Sequence, residues 1–200
     1  MIVYVGGIPG VGKTKLVDQL HGATLPSGTS IESAKLKDVL CELAGVDTVT
    51  EFRLLSEEVR GSLHLEATRR IYELDSQNPR KIRLYDSHFC SMGPDGRVKH
   101  VRPIHPKDRG QLLAVVVLVT GACEILSRRI ADTAFRTDRH ITTETTVKRE
   151  QALECREAKS QVLGIGVPIR FLLNNRNDAE NVLRQTIDFL AEVTSQRGLG

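Results

Sequence analysis

The sequence contains no tryptophan, only 4% aromatic residues, and four cysteines that are too far apart to form a CxxC pair. Those cysteines are Cys41, Cys90, Cys123 and Cys155. Their spacing argues against zinc and favours reduced, mostly buried thiols. A long apolar run is also missing, and the chain starts in a strand pattern rather than in a basic leader. We therefore expect a cytoplasmic protein without a membrane partner.

An excess of charge of either sign is lacking too. Lys and Arg number 28 and Asp and Glu number 25, so the net charge is only +3. That balance is too mild to indicate a nucleic-acid partner by itself. A chain of 200 residues without repeats, low-complexity tracts or linkers fits one α/β domain with a full core, and we treat residues 1–200 as a single domain.

The most informative stretch is residues 7–14, with the sequence GIPGVGKT. It follows an apolar, β-branched run and precedes a segment whose apolar residues share one helical face. Strand, glycine-rich turn and helix in this order are the context of a P-loop, whose backbone N–H groups and helix N-terminus bind phosphate. We therefore predict that the phosphates of a nucleotide are bound by Gly10, Val11, Gly12, Lys13 and Thr14.

A metal ion is expected beside this loop. Lys13 can reach the β- and γ-phosphates, and the Thr14 hydroxyl can bind Mg²⁺. Asp86 ends a predicted strand, so a parallel sheet would place its carboxylate at the same edge, where it holds Mg²⁺ directly or through water. The alternative for Asp86 is a capped turn. His88 either faces the same cleft or is a solvated loop residue.

Strands and helices alternate along the whole chain. Strands are predicted at residues 1–6, 81–86, 114–119 and 168–173; helices at 15–20, 32–44, 51–74, 124–130, 143–163 and 179–193; and a short hairpin within 89–102. Residues 25–30 are too broken to show a strand. The pattern predicts a P-loop NTPase fold, a three-layer α/β/α sandwich with a mostly parallel five-stranded sheet and ligand at the carboxyl ends of the strands.

Four arginines lie close together in sequence: Arg128, Arg129, Arg136 and Arg139. Planar guanidinium groups stabilise the charge that spreads over a transferred phosphoryl group, so a catalytic lid over about residues 132–141 is favoured. A solvated basic loop or a nucleic-acid patch is the alternative. Arg53 lies in the segment of about residues 30–75, where it could hold an acceptor phosphate or serve solubility alone.

Together these motifs resemble the archaeal-type adenylate kinases, within the P-loop nucleoside monophosphate kinases. The resemblance covers the P-loop and the chain from about residue 30 onward. It rests on the Gly-x-Pro-Gly-x-Gly-Lys loop, Asp86-Ser87-His88 after a strand, the pair Arg128-Arg129 followed by Arg136 and Arg139, the segment 52–55 with Arg53, and Asn175-Arg176 after the last strand.

The resemblance implies that ATP and AMP give two ADP with Mg²⁺, by direct in-line transfer. It implies catalytic roles for Lys13, Arg128, Arg129, Arg136 and Arg139; AMP binding by Arg53, Ser33 and His88; contact with the adenine of ATP by Asn175, Arg176 and Asn177; and Mg²⁺ binding by Thr14 and Asp86. A homo-oligomer, trimeric as in archaeal members, is also implied.

Two other functions remain open at this point. Residues 21–30 are short and residues 89–105 bear little likeness to the family, so the acceptor could be a small molecule other than a nucleotide. The Asp-x-His signature with Cys90 nearby also resembles the adenylate-kinase-like ATPases of ribosome assembly. No guanine-binding Asn/Thr-Lys-x-Asp signature is visible, which disfavours a GTPase.

Overall fold

The computed structural model describes residues 1–34, 36–76, 78, 80–92, 98–101, 103–104, 110–133 and 143–198. The strands are β1 (Ile2–Gly6), β2 (Ser30–Ser33), β3 (Lys81–Asp86), β4 (Cys90–Met92), β5 (Val98–His100), β6 (Leu112–Val119) and β7 (Ile169–Leu173). The helices are α1 (Lys13–Leu20), α2 (Leu36–Ala44), α3 (Val49–Leu54), α4 (Glu57–Ser76), α5 (Ala122–Thr133), α6 (Glu144–Leu163) and α7 (Ala179–Gln196).

The described strands form a five-stranded parallel sheet in the order β2-β3-β1-β6-β7. Its central strands β1 and β6 are almost wholly buried, as expected for apolar runs covered on both faces. One core cluster joins the sheet to α1 and α7, and a second joins the other face to α6 and the end of α4. The predicted α/β/α sandwich is confirmed.

A second, antiparallel pair is formed by β4 and β5. In its register Cys90 lies opposite His100. The hairpin expected within residues 89–102 is therefore confirmed. It packs against α6, so it extends the structure beside the carboxyl edge of the sheet.

The start of the predicted helix over residues 32–44 was wrong. Residues 30–33 form β2, the edge strand, and Ile31 pairs in register with Ile82 of β3. Ile31 is fully buried while its neighbours are partly exposed, which is the alternation of a half-buried strand. Four residues are too few for that pattern to be visible in the sequence, and pairing with β3 decides it.

The single helix predicted over residues 51–74 is in fact two. Leu55 is extended, with ψ of 154°, and separates α3 from α4. The Ser56 hydroxyl accepts a hydrogen bond from the Val59 N–H at 3.3 Å, so it caps the new helix. The Thr143 hydroxyl accepts a hydrogen bond from the Thr146 N–H at 3.2 Å and so caps the start of α6.

Helices α2, α3 and α4 pack on one another around a small core of their own, built from Leu40, Phe52 and Ala67. Its buried members differ from those of the two clusters that cover the sheet, and Leu36 and Val39 pack against both this core and the second of those clusters. Within the described part of the chain, no helix combines the length and the apolar character needed to cross a bilayer.

Candidate active site

The glycine-rich turn runs from the end of β1 to the start of α1, and its backbone requires glycine. Gly7, Gly10 and Gly12 have φ angles of 134°, 95° and 95°, which side chains other than that of glycine rarely adopt. A Cβ atom on Gly12 would also lie 2.6 Å from the side-chain nitrogen of Asn174. The turn therefore has the tight backbone path that the motif predicts.

Lys13 opens α1 and is almost fully buried. Its ammonium donates hydrogen bonds to the Gly7 carbonyl at 2.6 Å and the Ile8 carbonyl at 3.3 Å. Burial lowers the pKa of Lys13 to about 8, against the opposing effect of the Asp86 carboxylate. The ammonium is thus still mainly protonated at neutral pH and lies inside the turn.

Thr14 and Asp86 meet at the same edge of the sheet, as the sequence predicts. Asp86 ends β3 and pairs in register with Val5 near the end of β1. The Thr14 hydroxyl donates to Asp86 Oδ2 at 2.9 Å, and Lys13 Nζ lies 3.8 Å from Asp86 Oδ1. This sequence-distant pair gives two oxygen donors beside the turn.

These two oxygens fit Mg²⁺. Mg²⁺ in nucleotide sites takes one or two protein oxygens and fills its other positions with phosphate and water. Among the described residues, no group of three or more His, Cys, Asp and Glu side chains could hold a metal ion without such help. A cation at Thr14 and Asp86 would therefore depend on a bound nucleotide.

His88 lies against the glycine-rich turn. Its Nδ1 is 2.9 Å from the Gly7 carbonyl and 3.4 Å from Lys13 Nζ. Burial, followed by the nearby Lys13 charge, lowers the pKa of His88 to about 4. The ring is therefore neutral at pH 7. Because a carbonyl oxygen can only accept a hydrogen bond, we infer that Nδ1 carries the ring proton and donates a hydrogen bond to the Gly7 carbonyl.

The first two predicted catalytic arginines contact the turn through its carbonyl groups. Arg128 donates to Gly10 O at 3.1 Å and to Asn174 O at 3.2 Å. Arg129 donates to Pro9 O at 2.9 Å and forms a buried ion pair with Glu150 at 2.8 Å. Both guanidinium groups thus hold the turn in place.

The other two arginines of the predicted lid, Arg136 and Arg139, lie outside the described residues, as does the lid itself apart from its first two positions. Their predicted roles stay predictions.

Sequence reasoning missed Glu154 of α6, which is 1% exposed. One of its carboxylate oxygens accepts from the Gly7 N–H at 2.8 Å. The other accepts from the N–H groups of Phe89 and Cys90 at 2.9 and 2.8 Å. This carboxylate therefore joins the glycine-rich turn to the chain that follows β3.

A signal for this residue existed in the sequence. The buried stripe of α6 has helical spacing and contains two glutamates among apolar residues: Val147, Glu150, Glu154, Ala158 and Val162. Acidic residues on such a stripe are seldom buried without a partner. Asn174, which was also missed, donates from its side chain to Val11 O at 2.7 Å.

The residues predicted to contact adenine follow β7 at the same sheet edge. Asn175 Oδ1 accepts from the Gly121 N–H at 3.2 Å, while Arg176 and Asn177 are exposed. The structure thus places this loop next to the start of α5, beside the glycine-rich turn.

A pocket of about 210 Å³ lies among α2, α3 and α4, and we call it the acceptor pocket. It is lined by Lys37, Leu40, Cys41, Val49, Phe52, Arg53, Arg60 and His64. Lys37, Arg53 and Arg60 give it three cationic side chains. The Arg60 Nε atom is buried and has no hydrogen-bond partner among the described residues. Burial and then the Arg60 charge lower the pKa of His64, so the imidazole is neutral.

The residues that the resemblance links to AMP do not all lie in this pocket. Arg53 lines it, but Ser33 and His88 are not among the lining residues. The Ser33 N–H donates to His21 Nδ1 at 3.1 Å, and His88 contacts the turn. The cationic lining residues allow the pocket to accept an anion between apolar surfaces, and one of them, Lys37, lies 3.6 Å from Asp86 of the predicted metal site.

Known proteins are similar to this chain in sequence over nearly their whole length. The chain is 27% identical to an adenylate kinase of Thermococcus onnurineus, covering 96% of this chain and 94% of the relative. It is 26% identical to the adenylate kinase of Thermococcus sibiricus and 25% to that of Pyrococcus abyssi, with coverage of 94–96% of each chain. The chain is therefore distantly similar in sequence to adenylate kinases.

Other comparisons add little. No family model matches the chain. A crystal structure of an uncharacterized protein from Eubacterium ventriosum covers 96% of this chain and 98% of its own, with a TM-score of 0.46 and 8% identity. A likeness of that degree carries no argument about function. The near full-length similarity to adenylate kinases supports a nucleotide-kinase-like enzyme. Because the identity is low, the substrate has to be inferred from the site.

Proposed function

We propose that the protein is an adenylate kinase, which transfers the γ-phosphoryl group of ATP to AMP and gives two ADP. The observation that carries this proposal is the meeting of Lys13, Thr14 and Asp86 beside a cation-lined acceptor pocket. The near full-length similarity to adenylate kinases supports it.

On the donor side, the backbone N–H groups of residues 10–14 and the N-terminus of α1 bind the triphosphate. Lys13 exchanges the Gly7 and Ile8 carbonyls for oxygens of the β- and γ-phosphates. Thr14 and Asp86 hold Mg²⁺, which neutralises phosphate charge when bound. The loop at Asn175 to Asn177 lies beside the adenine.

On the acceptor side, the cations of the pocket attract the phosphate of AMP, and its apolar residues take the base. A phosphate oxygen of AMP forms a bond to the γ-phosphorus while the bond from that phosphorus to the β–γ bridging oxygen breaks. ADP leaves with the bridging oxygen, and AMP has become the second ADP. No phosphoenzyme is needed, because the two sites adjoin.

Three further features of the proposal rest on the sequence and on the resemblance, because no contact among the described residues bears on them. Arg136 and Arg139 stabilise the transferred group from a lid that excludes water. The protein acts in the cytoplasm, and it assembles as a homo-oligomer such as a trimer.

A coupled assay of ADP formation tests this function. We expect ADP to form rapidly only when ATP, AMP and Mg²⁺ are all present, and chelation of the metal to stop it. Slow phosphate release from ATP alone, stimulated by a ribosomal partner, would support the assembly ATPase instead. Transfer to a compound without a base would support a small-molecule kinase. A thermal-shift series of nucleoside monophosphates identifies the acceptor, since a ligand of the native state raises its stability.

A further inference from the structure

Lys37 belongs to both halves of the site, although none of the sequence motifs includes it. It lines the acceptor pocket, and its ammonium lies 3.6 Å from Asp86 Oδ2. Asp86 in turn accepts a hydrogen bond from the donor-side Thr14. Lys37 therefore lies between the predicted metal site at Asp86 and the acceptor pocket.

The position of Lys37 runs against the electrostatics of its own helix. It is the second residue of α2, where the positive end of the helix dipole disfavours a cation. A residue in a locally unfavourable position is often required there for function. The ion pair with Asp86 does not explain the position of Lys37 through stability. The Lys37 side chain is 59% exposed, and ion pairs of such exposed side chains add little to the free energy of unfolding.

Asp86 has two ammonium groups nearby, and they differ in their freedom. Lys13 is buried and also bonded to the carbonyls of the turn, at 3.8 Å from Asp86 Oδ1. Lys37 is on the exposed side, on a helix that belongs to the acceptor segment. An exposed ammonium on a flexible stem can leave one carboxylate for a phosphate at little cost.

We propose that Lys37 is a catalytic residue that binds the acceptor's phosphate and neutralises the phosphoryl group during its transfer. On acceptor binding, its ammonium exchanges Asp86 for a phosphate oxygen of the acceptor. It moves no proton and forms no covalent bond. This inference rests on the proposed function, because it assigns a residue to the same reaction.

The test compares three variants with the wild-type protein: K37M, K37R and the control K148M. Lys148 is a suitable control because it is also an exposed helical lysine, 68% exposed and paired with Glu144, but it lies on α6 away from the pocket. Steady-state kinetics with ATP and AMP, calorimetric binding of each nucleotide separately, and the thermal midpoint are measured for all four proteins.

We expect K37M to lower kcat/KM for AMP by about 10- to 100-fold, with K37R recovering much of the loss, because one cation near the transferred group is removed. ATP binding and the thermal midpoint should stay at wild-type values. K148M should match the wild type in every measurement. This contrast separates a contact with the acceptor from a structural role.

Three other outcomes would contradict the catalytic role of Lys37, the proposed kinase function, or both. If the wild type is active and K37M stays within about threefold of it in kcat/KM for AMP, Lys37 has no catalytic role while the kinase function stands. If neither the wild type nor any variant makes ADP, but K37M alone loses AMP binding, then Lys37 contacts the acceptor and the proposed reaction is wrong. If the wild type neither binds AMP nor makes ADP, both are wrong.

Discussion

The donor and acceptor sides of the site are built differently. Around the glycine-rich turn, buried side chains from distant parts of the chain bind main-chain groups: Glu154 at Gly7, Arg129 at Pro9 and Asn174 at Val11. The acceptor segment has a small core of its own, and it leaves Leu54 and Leu65 largely exposed.

This difference indicates how the two sides act. Groups that stabilise a developing charge work best when they are fixed before the reaction, which the buried network around the turn provides. A segment that packs largely on a small core of its own, and meets the sheet cluster through Leu36, Val39 and Ile71, opens at a lower free energy than the main core. We therefore expect the acceptor helices to open and close against a rigid donor site.

The largest effect should follow removal of the Lys13 charge. K13M is expected to lower kcat by about 100- to 1,000-fold, because one preorganised positive group is lost from the transferred phosphate. Its thermal midpoint should stay the same or rise, because burial already disfavours the charged form, as the lowered pKa of Lys13 shows. A stable variant with near-normal turnover would remove the basis of the donor site.

Glu154 tests whether the donor site depends on its buried network. In E154Q, an NH₂ group replaces one of the two carboxylate oxygens and faces a backbone N–H, so two donors meet and a hydrogen bond is lost. We expect the free energy of unfolding, measured in urea, to fall by about 2–3 kcal/mol. E144Q is the control, since Glu144 starts the same helix with a side chain that is 44% exposed. Equal stability of the two variants would contradict the network's importance.

Two buried phenylalanines compare the cores directly. Phe189 belongs to the main core and Phe52 to the acceptor core, with exposures of 4% and 6%. F189A should lower the free energy of unfolding by about 3–5 kcal/mol. F52A should raise the KM for AMP by about tenfold while the KM for ATP and the main unfolding transition change little. Equal losses of global stability would show that the two cores unfold as one.

The smallest effect is a pH dependence. Because the Lys13 pKa is about 8, its charged form is lost as the pH rises through that value. The kcat/KM for ATP should fall by about threefold between pH 7.5 and 8.5, since this quantity reports the free enzyme. The same group makes a contribution to stability that increases between about pH 8 and 10.5, because the unfolded chain binds its proton more tightly there. A kcat/KM profile that stays flat to pH 9 would contradict the assignment.

Much of the fold could be predicted because its signals are local. The alternation of apolar runs and helical stripes located β3 to the residue and gave α1, α6 and α7 within a few positions. Local patterns failed where they are short. The four residues of β2 merged with the following helix, and the Ser56 cap that divides α3 from α4 was overlooked.

The sequence by itself determined the glycine-rich turn and the strand that ends in Asp86, because spacing and residue type specify both. Only the tertiary structure decided which side chains hold them: Glu154 reaches Gly7 across 147 positions, and Asn174 reaches Val11 across 163. It also placed Lys37 beside Asp86. Such contacts form when elements that are far apart in the sequence pack at one edge of the sheet, so no local sequence pattern can predict them.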